Sequence, residues 1–168
     1  MKKVYFAGKF NLIKDKTLTL EERLENDFRS ILLGSSRKLI FANDNLKLNE
    51  LYQYLGPFYC EQASNGDYTS TDCNVVLDKE KKAVEDCDIY LAVFGENFSV
   101  GTIVELSWAL NLEKEIIILY KEEESAYQIK SDYWFAIADA IKRSKNIKIF
   151  KYDNEENLVK IINSIFKS

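Results

Sequence analysis

Residues 88–109, Asp-Ile-Tyr-Leu-Ala-Val-Phe-Gly-Glu-Asn-Phe-Ser-Val-Gly-Thr-Ile-Val-Glu-Leu-Ser-Trp-Ala, limit the fold more than any other stretch. The apolar run from Ile89 to Phe94 is short and rich in β-branched and aromatic side chains, so it reads as a buried strand rather than a helix. A polar turn from Gly95 to Ser99 leads into helical spacing over residues 100–112. Strand, polar loop and helix make half of a βαβ unit, and sheets of that kind take their ligands at the carboxyl ends of the strands. Ser99 can cap the helix, and Gly101 lets a ligand approach the backbone of its first turn. Glu105 lies one turn further in, between Val104 and Leu106, where a carboxylate has either an ion-pair role or a chemical one.

The rest of the chain repeats the alternation. Val4 to Ala7 reads as a first strand ending at Gly8, and Lys9-Phe10-Asn11 opens a loop. Residues 20–33 have helical spacing, with Leu20, Leu24, Phe28, Ile31 and Leu32 on one side, Thr19 as N-cap and Gly34 as the stop. Residues 35–55 are ambiguous: 37–42 suit a short strand, and 46–55 carry a helical pattern. Gly56-Pro57-Phe58-Tyr59-Cys60 reads as a second strand at a sheet edge, followed by a long polar loop over 61–74 of the sort that serves a site or moves. Further helices are expected over 75–86, 133–143 and 155–166, and further strands over 115–120 and 147–152, with a charged connection at 121–130 and Glu122-Glu123-Glu124 as a solvated turn. About five short apolar strands alternating with helices argue for one domain over residues 1–168. The expected fold class is a three-layer α/β fold, flavodoxin- or Rossmann-like, with a mainly parallel five-stranded sheet.

Composition narrows the chemistry. The 168 residues contain no histidine, which excludes Ser-His-Asp and Cys-His centres and any His-ligated metal within them. Carboxylate, Tyr, Ser/Thr, Cys and Lys remain, so catalysis here is expected to be carboxylate catalysis. A net charge of −4 argues against a nucleic-acid polymer or an anionic membrane as main partner. No apolar stretch reaches membrane-spanning length, and Met1-Lys2-Lys3 leads into a strand rather than a signal peptide. Cys60, Cys73 and Cys87 lack Cys-x-x-Cys spacing, so no disulfide framework is expected and a reducing cytoplasm is the default. Cys60 and Cys87 read as small core residues and Cys73 as a loop thiol.

Tyr5-Phe6-Ala7-Gly8, followed by Ser99-x-Gly101-x-x-x-Glu105-Leu106 and Ala109, resembles the nucleoside 2-deoxyribosyltransferase family and its relatives that hydrolyse 2′-deoxynucleoside 5′-monophosphates. The likeness runs over most of residues 3–120 in order and spacing. The family places a further acid eight residues before the leading Asp of the third strand; counting back from Asp88 gives Glu80, with Asp78 as its neighbouring competitor. The resemblance implies cleavage of an N-glycosidic bond without a cofactor. Glu105 matches the nucleophile that attacks C1′, Tyr5 the hydroxyl that orients it, and Glu80 the acid that meets the departing base. Ser99 matches the position at the sugar's 5′ end, an Asp in the transferases and a Ser in the monophosphate hydrolases; a serine near Gly101 and a helix N-terminus suits an anion. The loop Gly8-Lys9-Phe10-Asn11 lacks the Ser and Arg that the hydrolases offer to phosphate; Lys9 supplies a point charge, and Phe10 is similar to the base-stacking aromatic of the transferases. Transferase and hydrolase both stay open.

Plainer readings compete at each position. Glu105 could pair with a lysine, Tyr5 could simply pack, Ser99 could be an N-cap alone, and residues 78–82 could be a solvated charged face. Cleavage of another nucleotide such as NAD, and a non-catalytic nucleotide-binding signalling module, are the alternative functions. The expected partner is a small nucleoside or nucleotide. Since the family commonly assembles oligomers, the aromatic stretch Tyr133-Trp134-Phe135-Ala136 is a candidate subunit contact, and Trp108 and Trp134 read as packing or contact residues.

Overall fold

A computed structural model describes residues 1–41, 45–59, 73–95, 99–121 and 133–167. Strands β1 (Lys2–Ala7), β2 (Tyr52–Gly56), β3 (Ile89–Phe94), β4 (Glu115–Lys121) and β5 (Ile147–Tyr152) form one five-stranded sheet in the order β2-β1-β3-β4-β5. Every pairing is parallel. All six residues of β3 are buried, which is why this strand is a continuous apolar run in the sequence.

Alternate strand residues feed two cores. Val4, Phe6, Leu91, Val93, Ile117 and Leu119 pack on one face with helices α1 (Leu20–Arg23), α2 (Phe28–Leu33), α3 (Ser36–Ile40) and α7 (Glu155–Ile165). Tyr5, Ala7, Tyr90, Ala92, Phe94, Ile116 and Ile118 face α4 (Cys73–Asp86), α5 (Val100–Asn111) and α6 (Tyr133–Arg143). These are the three expected layers. From β1 the chain first moves outward to β2 and then crosses to β3, so the strand order reverses between β1 and β3, where such sheets open a crevice.

Strands and helices from β3 onward match the sequence expectations to within a residue or so at either end. The first strand, the Gly34 stop and the helix expected over 75–86 also hold, but the region between β1 and α4 departs from the expectations. The helix expected over 20–33 is two helices, because Asp27 caps α2 by accepting from the Arg29 amide, and Ile31, placed on the apolar side, is 47% exposed. Thr19 does cap α1, in a capping box with Glu22. The strand considered over 37–42 is instead α3. The helical pattern over 46–55 is overridden by pairing of Tyr52–Gly56 with β1, so the second strand ends at Gly56 and does not begin there. Gly56 sits at φ +147°, and a Cβ there would meet the Tyr5 ring at 3.3 Å, so glycine is required at that strand end. β2 is nevertheless the edge strand that the proline suggested. Cys73 and Asn74 belong to α4 rather than to the preceding loop; residues 61–72, Cys60 and the charged connection 122–130 lie outside the described residues.

Candidate active site

The cleft at the β1–β3 reversal has a volume of about 720 Å³. Gly8, Lys9, Phe10, Leu12 and Lys14, from the loop after β1, line one side, and Pro57, Phe58 and Tyr59 follow from the end of β2. Val76 and Glu80 come from α4, and Ser99, Thr102 and Glu105 from the start of α5.

The loop after β1 is held from behind by a buried ion pair. Arg29 and Asp27 are both fully buried. Arg29 Nε and Nη2 each donate at 2.8 Å to one carboxylate oxygen of Asp27. Its remaining hydrogens go to the carbonyls of Phe6 (3.2 Å), Gly8 (3.0 Å) and Lys9 (3.0 Å), and Asp27 also accepts from the Asn11 amide at 2.8 Å. The guanidinium lies 3.9 Å from the Phe10 ring centroid. Burial works against the Arg29 charge, but the Asp27 carboxylate outweighs it and holds the pKa above its ordinary value.

On the opposite wall Tyr5 joins two acids. The Tyr5 hydroxyl contacts Glu80 Oε2 and lies 2.9 Å from Glu105 Oε1. Its ring is fully buried and stacked on Tyr90 at 5.8 Å, and Tyr90 is fixed in turn by donating to the Thr102 carbonyl at 2.8 Å. Burial and then the neighbouring Glu80 charge push the Glu105 carboxyl up to about 8; the Tyr5 hydroxyl and the more distant Arg29 pull the other way. Burial, with the charges of Glu105 and Glu80, also raises Tyr5 well above the usual phenol range, so it stays protonated.

The structure therefore brings together Tyr5, Glu80 and Glu105, and places Gly8, Lys9, Phe10 and Ser99 along the same cleft. Ser99 is an N-cap: its Oγ accepts from the Gly101 amide at 3.2 Å. Asp78 and Gly101 are exposed and outside the cleft wall as described, since Asp78 lies two residues, about 200° of helix, from Glu80. Cys87 is buried with its thiol pushed up to about 12 by burial, as suits a core residue. Tyr133 is fully buried and Trp134 partly so, leaving Phe135, 75% exposed, as the outward aromatic of that stretch.

Sequence reasoning missed the Asp27–Arg29 pair and the aromatic wall of Phe58 and Tyr59. Asn26-Asp27 ahead of an apolar run is a capping signal that could have exposed the first. The second follows only once Pro57 is seen to leave β2 toward the cleft.

Fold and site together define a flavodoxin-like α/β protein with a tyrosine-bridged pair of glutamates at its topological switch point. No protein-family model matches the chain, and no curated protein does. Among solved structures the chain is similar to the Clostridium botulinum CMP N-glycosidase BcmB, with 18% identity, a TM-score of 0.55, and coverage of 98% of this chain and 100% of that one. The likeness is one of fold. A weaker similarity, to Era in complex with MgGDPNP and 16S ribosomal RNA, has 15% identity, a TM-score of 0.43 and coverage of 97% and 56%, and carries no argument. Among the described residues no helix is long and apolar enough to cross a membrane, and no cluster of His, Cys, Asp and Glu could hold a metal ion.

Proposed function

We propose that this protein cleaves the N-glycosidic bond of a 2′-deoxynucleoside or its 5′-monophosphate through a glutamate nucleophile, passing the deoxyribosyl group to another base or to water. The observation that carries this reading is the Tyr5 hydroxyl held between Glu80 and Glu105, two acids that line one cleft. A reaction with an oxocarbenium-like transition state needs one carboxylate to trap C1′ and one acid to meet the leaving group. Glu105, at the start of α5, is the nucleophile, and Glu80, on the facing helix, is the acid. Phe10 and Tyr59, ring centroids 5.1 Å apart, and Phe58 offer flat apolar surface to a base. The fold likeness to a CMP N-glycosidase agrees with a nucleotide-sized substrate.

Two features favour the 5′-monophosphate. Lys9 and Lys14 line the cleft as exposed cations. The Ser99 hydroxyl accepts from the Gly101 amide and still owns a hydrogen to donate to an anion at the α5 N-terminus. The test is incubation with 2′-deoxynucleosides and their 5′-monophosphates, with and without a second free base. Exchanged nucleoside defines transfer, and free base with deoxyribose 5-phosphate defines hydrolysis. Absence of turnover across the panel would contradict the reading.

A further inference from the structure

The bridge contains too few hydrogens to be made by ionised acids. A phenol owns one hydrogen, yet the Tyr5 oxygen is in hydrogen-bond contact with carboxyl oxygens of both Glu80 and Glu105. Tyr5 can donate to only one of them, so the other contact needs a hydrogen from the carboxyl. Two carboxylates this close also resist sharing full charge, which leaves one proton on the pair. The groups facing it settle where that proton sits. Glu105 is half-buried beside Tyr90 of β3, with Arg29 of α2 at longer range, while Lys9 and Lys14 lie along the cleft lined by both acids. Burial and the Glu80 charge both favour the protonated form of Glu105.

Resting on the glycosidic reading above, we infer that Tyr5 is a proton relay, and that the proton which silences Glu105 in the free enzyme is the one delivered through Tyr5 and Glu80 to the departing base. The step balances. The Glu105 O–H bond breaks and its proton moves to the Tyr5 oxygen, while the Tyr5 proton moves to Glu80 Oε2. Glu80 then gives that proton to the base nitrogen as the C1′–N bond breaks, its electron pair leaving with the base. The freed Glu105 oxygen bonds C1′. Tyr5 ends as a neutral phenol and Glu80 as a carboxylate, as both began. Activation of the nucleophile and protonation of the leaving group are thus one event for a base that accepts a proton; for a base that does not, Glu105, which lines the open cleft, gives its proton to solvent instead. Tyr5 is a positioning and relay residue here, acting through Glu80 and Glu105.

Leaving-group dependence separates relay from simple orientation. Tyr5→Phe keeps the buried ring and removes the hydroxyl. It is compared with wild type on 2′-deoxyguanosine and 7-methyl-2′-deoxyguanosine, or their 5′-monophosphates; the methylated base departs without accepting a proton. The relay predicts that Tyr5→Phe lowers turnover of the unmethylated donor by about 100-fold or more, in the range of general acid catalysis, and that of the methylated donor by less than about tenfold. Equal losses on both donors, or no loss on either, would overturn the relay and leave the glycosidic reading standing. Wild type inactive on both, and on the wider panel, would overturn that reading and the relay with it. A second measurement covers a variant that fails to fold: the infrared difference spectrum between wild type and Glu105→Gln at neutral pH. It should contain the carbonyl stretch of a protonated carboxyl, and its absence would overturn the relay.

Discussion

Two polar clusters flank the end of β1, and they are built on opposite principles. The Asp27–Arg29 pair is fully buried, matched in charge, and complete: both carboxylate oxygens and the carbonyls of Phe6, Gly8 and Lys9 take up the guanidinium hydrogens. The Tyr5–Glu80–Glu105 cluster sets two carboxyl groups on one hydroxyl, with a single phenolic hydrogen between them, and is open to the cleft. A closed network holds backbone in place, here the loop that carries Lys9 and Phe10. A shared hydroxyl in a half-buried site holds Glu105 away from its ordinary protonation state, which is where proton chemistry becomes accessible at neutral pH. Phe10 joins the two, lying over the guanidinium on one side and lining the cleft on the other.

Removing one half of the closed cluster should have the largest effect on stability. Arg29→Met leaves Asp27 charged and buried without its partner and strips three carbonyls of their donor; the expected cost in urea unfolding is about 3–5 kcal/mol. A cost near 1 kcal/mol would mean that the pair is not the anchor described.

Glu105→Gln should act in the opposite sense. Between its ordinary value of 4.5 and its value of about 8 in the fold, Glu105 holds a proton that the unfolded chain has lost. Unfolding then releases a proton, so stability falls as pH rises through this window and levels off above it. Glu105→Gln, which cannot ionise, should flatten that slope and by pH 8.5 be more stable than wild type by roughly 2–4 kcal/mol. Parallel stability curves for the two proteins between pH 4.5 and 8.5 would remove the account of Glu105 as a masked acid.

The smallest effect tests the link. Phe10→Leu removes the ring over Arg29 while keeping an apolar side chain, so it should cost about 1 kcal/mol of stability and weaken nucleoside binding measured by calorimetry. Unchanged binding would show that Phe10 serves only the anchor.

Legibility in the sequence followed the same division. β3 and the start of α5 were readable because a strand buried on both faces is a plain apolar run and a helix cap has a local signature at Ser99. The positions of Tyr5, Glu80 and Glu105 came with the resemblance they carry; their convergence on one hydroxyl is a tertiary fact, since 75 and 100 residues separate Tyr5 from its two partners. The region from Leu20 to Phe58 misled because its helical spacing is real but tertiary bonds override it. Asp27 turns inward to meet Arg29 and breaks a helix, and Tyr52 to Gly56 give up a helical pattern for pairing with β1. Asp78 and Glu80 differ only in helical phase, and the packing of α4 settles which one faces the cleft.

Trapping the covalent intermediate addresses the central claim most directly. A 2′-fluorinated arabinosyl nucleoside slows breakdown of a glycosyl-enzyme, so wild type incubated with it and digested for mass spectrometry should carry the fluorosugar on Glu105, and Glu105→Gln should carry none. A peptide modified at Glu80, or an adduct that persists in Glu105→Gln, would contradict the assignment of Glu105 as the nucleophile.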